Sequence, residues 1–424
     1  MKEVRLAYGR HGLVARVPDH ATVVTPTDHP GLPDQQAAVV EALRSPVTGP
    51  PLGEIVAGAA ARRAGLPNVA VVFPDITRPM PNRTVLPPLL EELASVGIDA
   101  EHLELLCATG THRTATRAEL DELVGADISR QFRIHQHQAE SADHVEVGVV
   151  DGTPVLLDRR YVEADVRILT GFVEPHFFAG FSGGPKGACP GLAALDTVLE
   201  AHSPARIADE RATWLVTEGN PVHDFVRSAV ALAPPALSVD VAINGRGELT
   251  AVFAGPLPDG HVAACSFVED TAVQRVGEAF DVVLSTNGGH PLDRNLYQAV
   301  KGMAAAERVL RPGGTIVMAA ACADGTPDGS AFAAVLAEAS SPDLLDCPTG
   351  PSRMDLWQAQ VLGRILRRAQ VWLHSDGLRD DEVRRAHARP VGDVDRAVGE
   401  ALEAAGRDAR LCVLPFGPLT VASA

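Results

Sequence analysis

Short apolar runs, spaced so that a helix fits between one run and the next, are the feature that most restricts the fold of this chain. Val69–Phe73 and Leu103–Cys107 are such runs, and their aliphatic composition is typical of strands buried on both faces. Helical periodicity over about 82–96 predicts the crossover helix that a parallel strand pair needs. Further strands are predicted at 166–170, 238–243, 281–285, 314–319, 370–374 and 410–414. The alternation predicts an α/β protein with parallel sheets.

Chain length and one loop predict the domain organisation. At 424 residues the chain is longer than one hydrophobic core usually serves, so two domains are expected. The segment 255–260, Gly-Pro-Leu-Pro-Asp-Gly, has the composition of a loop and is followed by a helical pattern and a new strand. We therefore predict an N-terminal α/β domain over 1–270, completed by 406–424, and a C-terminal α/β domain over 271–405.

Charge and cysteine content restrict the partners and the compartment. A formal net charge of −17 opposes binding to nucleic acid or to an anionic membrane. No apolar run has the length of a membrane span, and the first residues lack the apolar core of a signal peptide. The six cysteines are scattered without a Cys-x-x-Cys pair, which indicates reduced thiols rather than disulfides or a zinc ribbon. We therefore predict a cytoplasmic protein with no nucleic-acid or membrane partner.

Lysine is scarce in this chain. Of the 37 basic residues only three, Lys2, Lys186 and Lys301, are lysine, and the others are arginine. A lysine amine can lose its proton and act as a nucleophile, whereas a guanidinium stays charged. Lys2 lies at the N-terminus, where a solvated charge is the simpler interpretation. Chemistry that requires an amine is therefore expected at Lys186 or Lys301.

Polar motifs follow two of the predicted strands directly, where parallel sheets bind ligands. In Asp75-Ile-Thr-Arg78 the carboxylate could bind ribose hydroxyls, and the guanidinium could bind a carboxylate or a phosphate. Helix capping by this segment, with Arg78 as a surface charge, fits the sequence equally well. In Thr109-Gly-Thr-His112 the glycine permits close approach of the backbone to a ligand, and the imidazole can exchange protons near neutral pH. A turn with an exposed histidine is the alternative for this second motif.

Residues 174–191, Glu-Pro-His-Phe-Phe-Ala-Gly-Phe-Ser-Gly-Gly-Pro-Lys-Gly-Ala-Cys-Pro-Gly, follow a third strand. Such a loop can present backbone amides to an anion, and a purely structural glycine-rich loop is the alternative. It is not a P-loop, because Gly187 rather than serine or threonine follows Lys186, and it contains no dinucleotide fingerprint. The combination of Lys186 with His176 favours a functional site.

Three weaker signals remain. His202, in Glu-Ala-His-Ser-Pro, could bind a metal, but no partner ligand lies at helical spacing. Tyr297 and Lys301 stand at i and i+4, with Gln298 adjacent to the face they share, which suits a polar cluster that binds a small carboxylate. His135 and His137 would share one face of a strand, and we interpret them as solvated polar positions.

These motifs occur in order through both halves of the chain and together resemble the nickel-pincer-nucleotide-dependent lactate racemase family. The resemblance implies two Rossmann-like α/β domains with the active site in the inter-domain cleft. It also implies a nickel-pincer nucleotide, a Ni(II) pyridinium-3-thioamide-5-thiocarboxylic acid mononucleotide, joined covalently to Lys186. The matching segments are Asp75-x-Thr-Arg78, Gly110-Thr-His112, Glu174-Pro-His176, Gly183-Gly-Pro-Lys186, His202 and Tyr297-Gln298-x-x-Lys301.

The resemblance also implies a role for each matching residue. His112 and His176 would be the acid–base residues, one on each face of the substrate. Lys186 would tether the cofactor and His202 would ligate its nickel. The other implied groups are cofactor contacts from Asp75, Thr109 and Gly110 and substrate contacts from Arg78, Tyr297, Gln298, Lys301 and Trp357.

The implied activity is racemisation or epimerisation of a lactate-like 2-hydroxy acid. In this family a histidine takes the hydroxyl proton while the C2 hydride moves to the cofactor, and the 2-keto acid receives hydride on its other face. Cofactor-biosynthesis proteins would load the enzyme. A dehydrogenase-type use of the same cofactor, and a non-catalytic carrier of the nickel nucleotide or binder of hydroxy acids, are the alternatives. The sequence does not identify the hydroxy acid, although Phe177, Phe178 and Trp357 would favour an apolar side chain.

Overall fold

The computed structural model describes residues 1–27, 29–327, 331–346 and 352–423. Within these residues the strands are β1 (Lys2–Leu6), β2 (Leu13–Val17), β3 (Thr22–Val23), β4 (Val69–Pro74), β5 (Leu103–Ala108), β6 (Arg133–Gln136), β7 (His144–Val150), β8 (Thr153–Asp158), β9 (Val166–Phe172), β10 (Pro175–His176), β11 (Gly180–Phe181), β12 (Leu237–Ile243), β13 (Leu249–Gly255), β14 (Val273–Arg275), β15 (Phe280–Thr286), β16 (Leu310–Ala319), β17 (Gln370–His374), β18 (Arg389–Pro390), β19 (Leu411–Leu414) and β20 (Val421–Ser423).

The helices of the same residues alternate with these strands over most of the chain. They are α1 (Gln35–Arg44), α2 (Leu52–Arg63), α3 (Asn82–Ser95), α4 (Arg117–Val124), α5 (Ala126–Gln131), α6 (Arg159–Glu163), α7 (Leu195–Ala201), α8 (Pro204–Ala208), α9 (Pro221–Ala231), α10 (Asp259–Ala272), α11 (Leu296–Glu307), α12 (Ala331–Glu338), α13 (Pro342–Asp346), α14 (Leu356–Arg368), α15 (Asp380–Arg385) and α16 (Val394–Ala405), with 3₁₀ turns at Gly184–Gly187 and Gly417–Leu419.

The chain forms two compact units. The Lys186 unit comprises Asp28–Ala201 and Arg211–Asp270. The C-terminal unit comprises Thr271–Ala424 together with two segments from elsewhere in the sequence, Met1–Thr27 and His202–Glu210. The two termini therefore lie in the C-terminal unit. The nine residues His202–Glu210 also belong to that unit, although the residues before and after them belong to the Lys186 unit.

The Lys186 unit contains a six-stranded sheet in the order β13-β12-β9-β4-β5-β6. All neighbouring pairs are parallel except β12 and β13, which are antiparallel. The α/β fold with parallel sheets that the sequence predicts is confirmed, because the predicted apolar runs form the central strands. Helices cover both faces of the sheet, and its side chains enter two separate cores: Val71, Phe73 and Leu105 on one face, and Val72, Leu106 and Leu169 on the other.

The C-terminal unit contains a second six-stranded sheet, in the order β18-β17-β16-β15-β19-β3, with every pair parallel. The prediction that 406–424 completes the N-terminal domain is wrong, because β19 lies between β15 and β3 of this second sheet. All four residues of β19 are buried. A strand buried in this way needs hydrogen-bonding neighbours on both sides, and β15 and β3 supply them.

The sequence predicts that the chain lacks a membrane span and that its cysteines are reduced. Among the residues that the structure describes, no helix is long and apolar enough to cross a membrane. The five described cysteines are free and buried, and Cys347 lies outside the described residues.

Candidate active site

The loops that carry the predicted motifs follow three adjacent strands of the Lys186 unit, β9, β4 and β5. The chain runs from β4 outward through β5 to β6, and then returns to the other side of β4 as β9. The change of direction lies between β4 and β9. In open α/β sheets this is the point where loops diverge and leave a crevice for a ligand. The loops after these two strands carry Asp75, Arg78 and the Lys186 segment.

Asp75 and His112 form a hydrogen-bonded pair across two loops. The Nδ1 atom of His112 lies 2.9 Å from Oδ2 of Asp75, and the hydroxyl of Thr77 donates to Oδ1 of Asp75 at 2.7 Å. The carboxylate is almost fully buried, whereas 40% of the His112 side chain is exposed. The carboxylate can only accept, so the hydrogen on His112 resides on Nδ1 and leaves Nε2 able to accept a proton.

The electrostatic state of Asp75 follows from these contacts. Burial alone would raise the pKa of Asp75, but hydrogen bonds from His112 and Thr77 and the charge of Arg78 outweigh it and lower that pKa from 3.8. Asp75 therefore remains a carboxylate at neutral pH and can orient the imidazole of His112.

Arg78 and Glu174 join the first loop to the third. A guanidinium nitrogen of Arg78 lies 3.7 Å from a carboxylate oxygen of Glu174, and about a quarter of each side chain is exposed. The backbone of Glu174 is fixed in turn by Ser182, whose hydroxyl accepts from the amide of Glu174 at 2.9 Å. The Arg78 side chain is thus held against Glu174 while part of it stays exposed to solvent.

His176 has the opposite hydrogen-bonding arrangement to His112. Its Nδ1 atom accepts from the backbone amides of Phe178 and Ala179 at 3.5 and 3.2 Å. A neutral His176 in this arrangement carries its hydrogen on Nε2. The ring is buried, stacks on Phe177 at 4.8 Å and meets the edge of Phe178 at 4.5 Å between centroids. The two phenylalanines, which we expected to favour an apolar substrate, therefore pack around His176.

Lys186 lies in the 3₁₀ turn Gly184–Gly187, which rests on a buried carboxylate. Oδ1 of Asp240 accepts from the amide of Gly184 at 2.7 Å. A Cβ atom at Gly171 or Gly183 would come within 2.5 or 2.7 Å of the same oxygen, so side chains are excluded there. Lys186 itself is half-buried, with its Nζ atom 5.7 Å from the ring centroid of Phe178.

Thr109 and Gly110 direct their polar groups into the protein. The hydroxyl of Thr109 donates to the carbonyl of His137, and the amide of Gly110 donates to the carbonyl of Gly191 at 3.0 Å. Gly110 has φ +55°, a conformation that favours glycine, while the space around it would admit a Cβ atom. In this structure both residues shape the loop that ends at His112 through contacts within the protein.

The C-terminal unit brings together His202, Trp357 and Tyr297. The ring of His202 lies 4.7 Å from that of Trp357, and Nε1 of Trp357 donates to the hydroxyl of Tyr297 at 3.0 Å. His202 and Trp357 are both buried. The segment after His202 is attached to α14, where Gln360 donates to the carbonyl of Pro204 at 3.1 Å. The histidine is therefore held in place by α14.

Gln298 and Lys301 lie on α11, as the helical spacing predicts. The helix begins after Asn295, whose side chain accepts from the amide of Gln298 at 3.0 Å. Tyr297, Gln298 and Lys301 are all partly exposed. They occupy the first two turns of the helix.

The sequence interpretation missed two buried polar residues of the Lys186 unit. His137 was expected to be solvated, but its side chain is 0% exposed, because it lies beneath the loop that contains Thr109. Asp240 received no role, although a single carboxylate within the apolar run Leu237–Ile243 could have identified it as a buried functional or structural group.

Among the described residues, no group of three or more His, Cys, Asp or Glu side chains is arranged to hold a metal ion. His202 supplies one buried imidazole.

Comparison with known proteins agrees with this geometry. The chain matches the family models described as the lactate racemase N-terminal domain, over residues 8–214, and the lactate racemase C-terminal domain, over residues 276–421. The lactate racemase of Lactiplantibacillus plantarum is 33% identical over 98% of this chain and 99% of its own length. That of Thermoanaerobacterium thermosaccharolyticum is 31% identical over 98% of each chain.

Solved structures give the same result. The lactate racemase apoprotein from Thermoanaerobacterium thermosaccharolyticum superimposes with a TM-score of 0.91 at 30% identity, covering 100% of both chains. A Thermotoga maritima protein with 19% identity and a TM-score of 0.65 over 88% of this chain shares the fold. Fold, strand-end loops and relatives together define an α/β enzyme of the isomerase class. The chain belongs to the lactate racemase family.

Proposed function

We propose that this protein racemises or epimerises a lactate-like 2-hydroxy acid, using a nickel-pincer nucleotide attached to Lys186. The observation that carries the proposal is the arrangement around the β9–β4–β5 edge. The loops there carry a lysine in a glycine-rich 3₁₀ turn and two histidines, one with Nδ1 facing a carboxylate and one with Nδ1 accepting from backbone amides. They occur in a chain of the lactate racemase family.

The residues present suit the proposed cofactor. A covalent amide-type link requires an amine, and Lys186 is the only lysine of its unit. Side chains are excluded at Gly171, Gly183 and Gly184 because a Cβ atom there would meet Asp240 or His261, so the turn that carries Lys186 packs closely on the protein interior. His202 would ligate the nickel, with the remaining donors supplied by the organic group itself. When bound, this cofactor would accept hydride from C2 of the substrate and return it to either face of the 2-keto acid.

The proton chemistry falls to His112 and His176. His112, with Nδ1 on the Asp75 carboxylate, offers Nε2 as the base for the substrate hydroxyl. His176, whose Nδ1 accepts from backbone amides, offers an N–H at Nε2 as a donor to the hydroxyl or carbonyl oxygen. We propose that they act on opposite faces of the substrate, with the free Nε2 of His112 as the proton acceptor and the Nε2–H of His176 as the proton donor. Asp75 then acts through His112.

Substrate binding would rest on the cationic and polar groups. Arg78 keeps part of its guanidinium open to solvent and would bind the carboxylate, with Glu174 fixing its orientation. For the C-terminal unit, carboxylate-binding roles are proposed for Lys301 and Gln298, with Tyr297 and Trp357 as supporting residues. Local positive charge of this kind is needed, because the formal net charge of −17 opposes the approach of an anion.

Loading and location complete the proposal. Cofactor-biosynthesis proteins would deliver the nickel nucleotide to Lys186. The free thiols of the described cysteines support a reducing compartment such as the cytoplasm.

Asp75→Asn should lower kcat by about 100-fold without removing the cofactor from Lys186. The asparagine amide can donate to Nδ1 of His112, which would move the imidazole hydrogen to Nε2 and block the base. Steady-state racemisation of the loaded variant, with the adduct measured by mass, checks this. Unchanged kcat at full loading would contradict the orienting role of Asp75.

The same substitution should change the pH dependence of stability. Because the pKa of Asp75 is lowered in the folded protein, its contribution to the unfolding free energy is present above pH 3.8 and is lost as the pH falls through the folded value. Asp75→Asn should therefore flatten the decline of the unfolding free energy below about pH 4. Urea unfolding at several acidic pH values measures this slope.

The proposed function is tested by racemisation in D₂O, with single enantiomers of several 2-hydroxy acids and the cofactor-loaded protein. Internal return of hydride predicts that the opposite enantiomer forms with hydrogen, not deuterium, at C2. A carbanion route would instead introduce solvent deuterium at C2. Absence of racemisation across the panel by fully loaded protein would contradict the proposal.

A further inference from the structure

A cluster of three imidazoles around one buried carboxylate lies behind the loop of His112 and takes no part in the mechanism above. His137 is at its centre, with 0% of its side chain exposed. Asp158, at the end of β8, is 4% exposed, and His135 contacts the same carboxylate from a position that is 25% exposed. The ring of His144 meets that of His137 edge-on at 5.2 Å. These residues all belong to the Lys186 unit.

Both ring nitrogens of His137 face hydrogen-bond acceptors. Nδ1 lies 3.3 Å from Oδ2 of Asp158, and Nε2 lies 3.0 Å from the carbonyl oxygen of Ala193. A neutral imidazole has a single N–H and could satisfy only one of them. The imidazole is therefore held between a carboxylate on one side and a backbone carbonyl on the other.

Asp158 is the charged acceptor of this cluster. Burial alone would raise the pKa of Asp158, but hydrogen bonds from His135 and His137 outweigh it and hold the pKa well below its usual range. The second oxygen of Asp158 accepts from the amide of Arg160 at 2.9 Å, so the carboxylate is itself held in place.

His137 connects the two loops that the proposed reaction uses. Its own amide donates to the carbonyl of Cys107, and its carbonyl accepts from the hydroxyl of Thr109, at the start of the loop that ends at His112. Its ring holds Ala193, in the segment that follows Lys186. Between these contacts, the amide of Gly110 donates to the carbonyl of Gly191.

We infer that His137 is a positioning residue that keeps the His112 loop in register with the segment after Lys186. It does so through the contacts of its ring with Asp158 and Ala193 and of its backbone with Cys107 and Thr109. This inference rests on the proposed function for its kinetic consequence, since a misplacement of about 1 Å in a catalytic group can lower a rate by about 100-fold. Its structural consequence can be measured without cofactor.

The test compares His137→Ala with the matched control His135→Ala, which removes the other imidazole from Asp158 but touches neither loop. In the cofactor-free proteins, hydrogen exchange should become faster in peptides covering 107–113 and 188–194 of His137→Ala, and stay unchanged in the control. In loaded proteins, kcat should fall about 10- to 100-fold in His137→Ala with KM within about twofold, because Arg78 is untouched. The control should stay near the wild-type kcat.

A conservative variant separates positioning from general loss of structure. Glutamine places its amide nitrogen close to the position of Nε2, so His137→Gln should retain the hydrogen bond to Ala193. Hydrogen exchange in 188–194 of this variant should therefore stay as slow as in the wild-type protein. Asparagine instead reaches Asp158, so His137→Asn should lose that protection. This pair decides the question if His137→Ala does not fold.

Three outcomes would overturn the inference: unchanged exchange in both peptides of His137→Ala, equal changes in His135→Ala, or no difference between the glutamine and asparagine variants. Failure of the proposed function would look different, because the loaded wild-type protein would then not racemise any substrate. In that case the exchange measurements would still decide whether His137 holds the two loops together.

Discussion

His112→Ala and His176→Ala should each lower kcat for racemisation by about 10² to 10⁴-fold while the cofactor remains attached to Lys186. His112 presents its Nε2 atom because Nδ1 is held by Asp75, and His176 presents Nε2 because its Nδ1 accepts from two amides. Removing His112 takes away the proposed proton acceptor for the substrate hydroxyl, and removing His176 takes away the proposed proton donor at Nε2. The kcat values of both directions should fall, because each direction uses the histidines on both faces of the substrate.

His102→Ala is the matched control for His112→Ala. His102 also points Nδ1 at a carboxylate, that of Asp99, at 2.8 Å, but it precedes β5 and so lies at the opposite end of that strand. The control should racemise at the wild-type rate. A carrier or binder of the nickel nucleotide would retain its adduct and its ligand affinity in all three variants. Wild-type kcat in either His112→Ala or His176→Ala would therefore contradict the two-histidine account.

Lys186→Arg should abolish both the covalent adduct and racemisation. The guanidinium cannot form the amide-type bond, although it keeps the positive charge and most of the aliphatic stem. The unfolding free energy should change by less than about 1 kcal/mol, because arginine keeps the charge and the stem while the amide of Gly184 in the 3₁₀ turn still donates to Asp240. Intact mass, racemisation and urea unfolding measure the three effects.

The other two lysines provide controls for that substitution. Lys2→Arg should retain the adduct and full activity, since the Lys2 amine donates to the carbonyl of Ala21 in the opposite unit. Lys301→Arg should retain the adduct and raise KM, in accordance with a role in binding the carboxylate. An adduct or racemisation that persists in Lys186→Arg would contradict tethering at this position.

The central strands could be predicted because their sequence carries the information locally. Residues 69–73 and 103–107 are nearly continuous apolar runs, and such runs form strands buried on both faces. By contrast, β6 is the polar sequence Arg-Ile-His-Gln at the edge of its sheet, where burial does not require an apolar pattern. Because these strands could be located, the motifs that begin at Asp75, Thr109 and Glu174 could be placed at the ends of β4, β5 and β9.

Partnerships across long sequence separations could not be predicted. Nothing local distinguishes 202–210 as a segment of the C-terminal unit, because its attachment to α14 depends on Gln360, 156 residues away from Pro204. The pairing of His112 with Asp75 depends likewise on which loops the sheet order brings together. The sequence around His137 predicts a solvated polar residue, because its contact with the carboxylate of Asp158 is not visible in the local sequence.

The most direct test of the account is a peptide mass map of wild-type protein purified from cells that supply nickel and the cofactor-building enzymes. The account predicts a nickel-dependent mass increase confined to the peptide containing Lys186, in protein that racemises a 2-hydroxy acid. Unmodified Lys186, under conditions in which the Lactiplantibacillus plantarum lactate racemase is loaded and active, would contradict it.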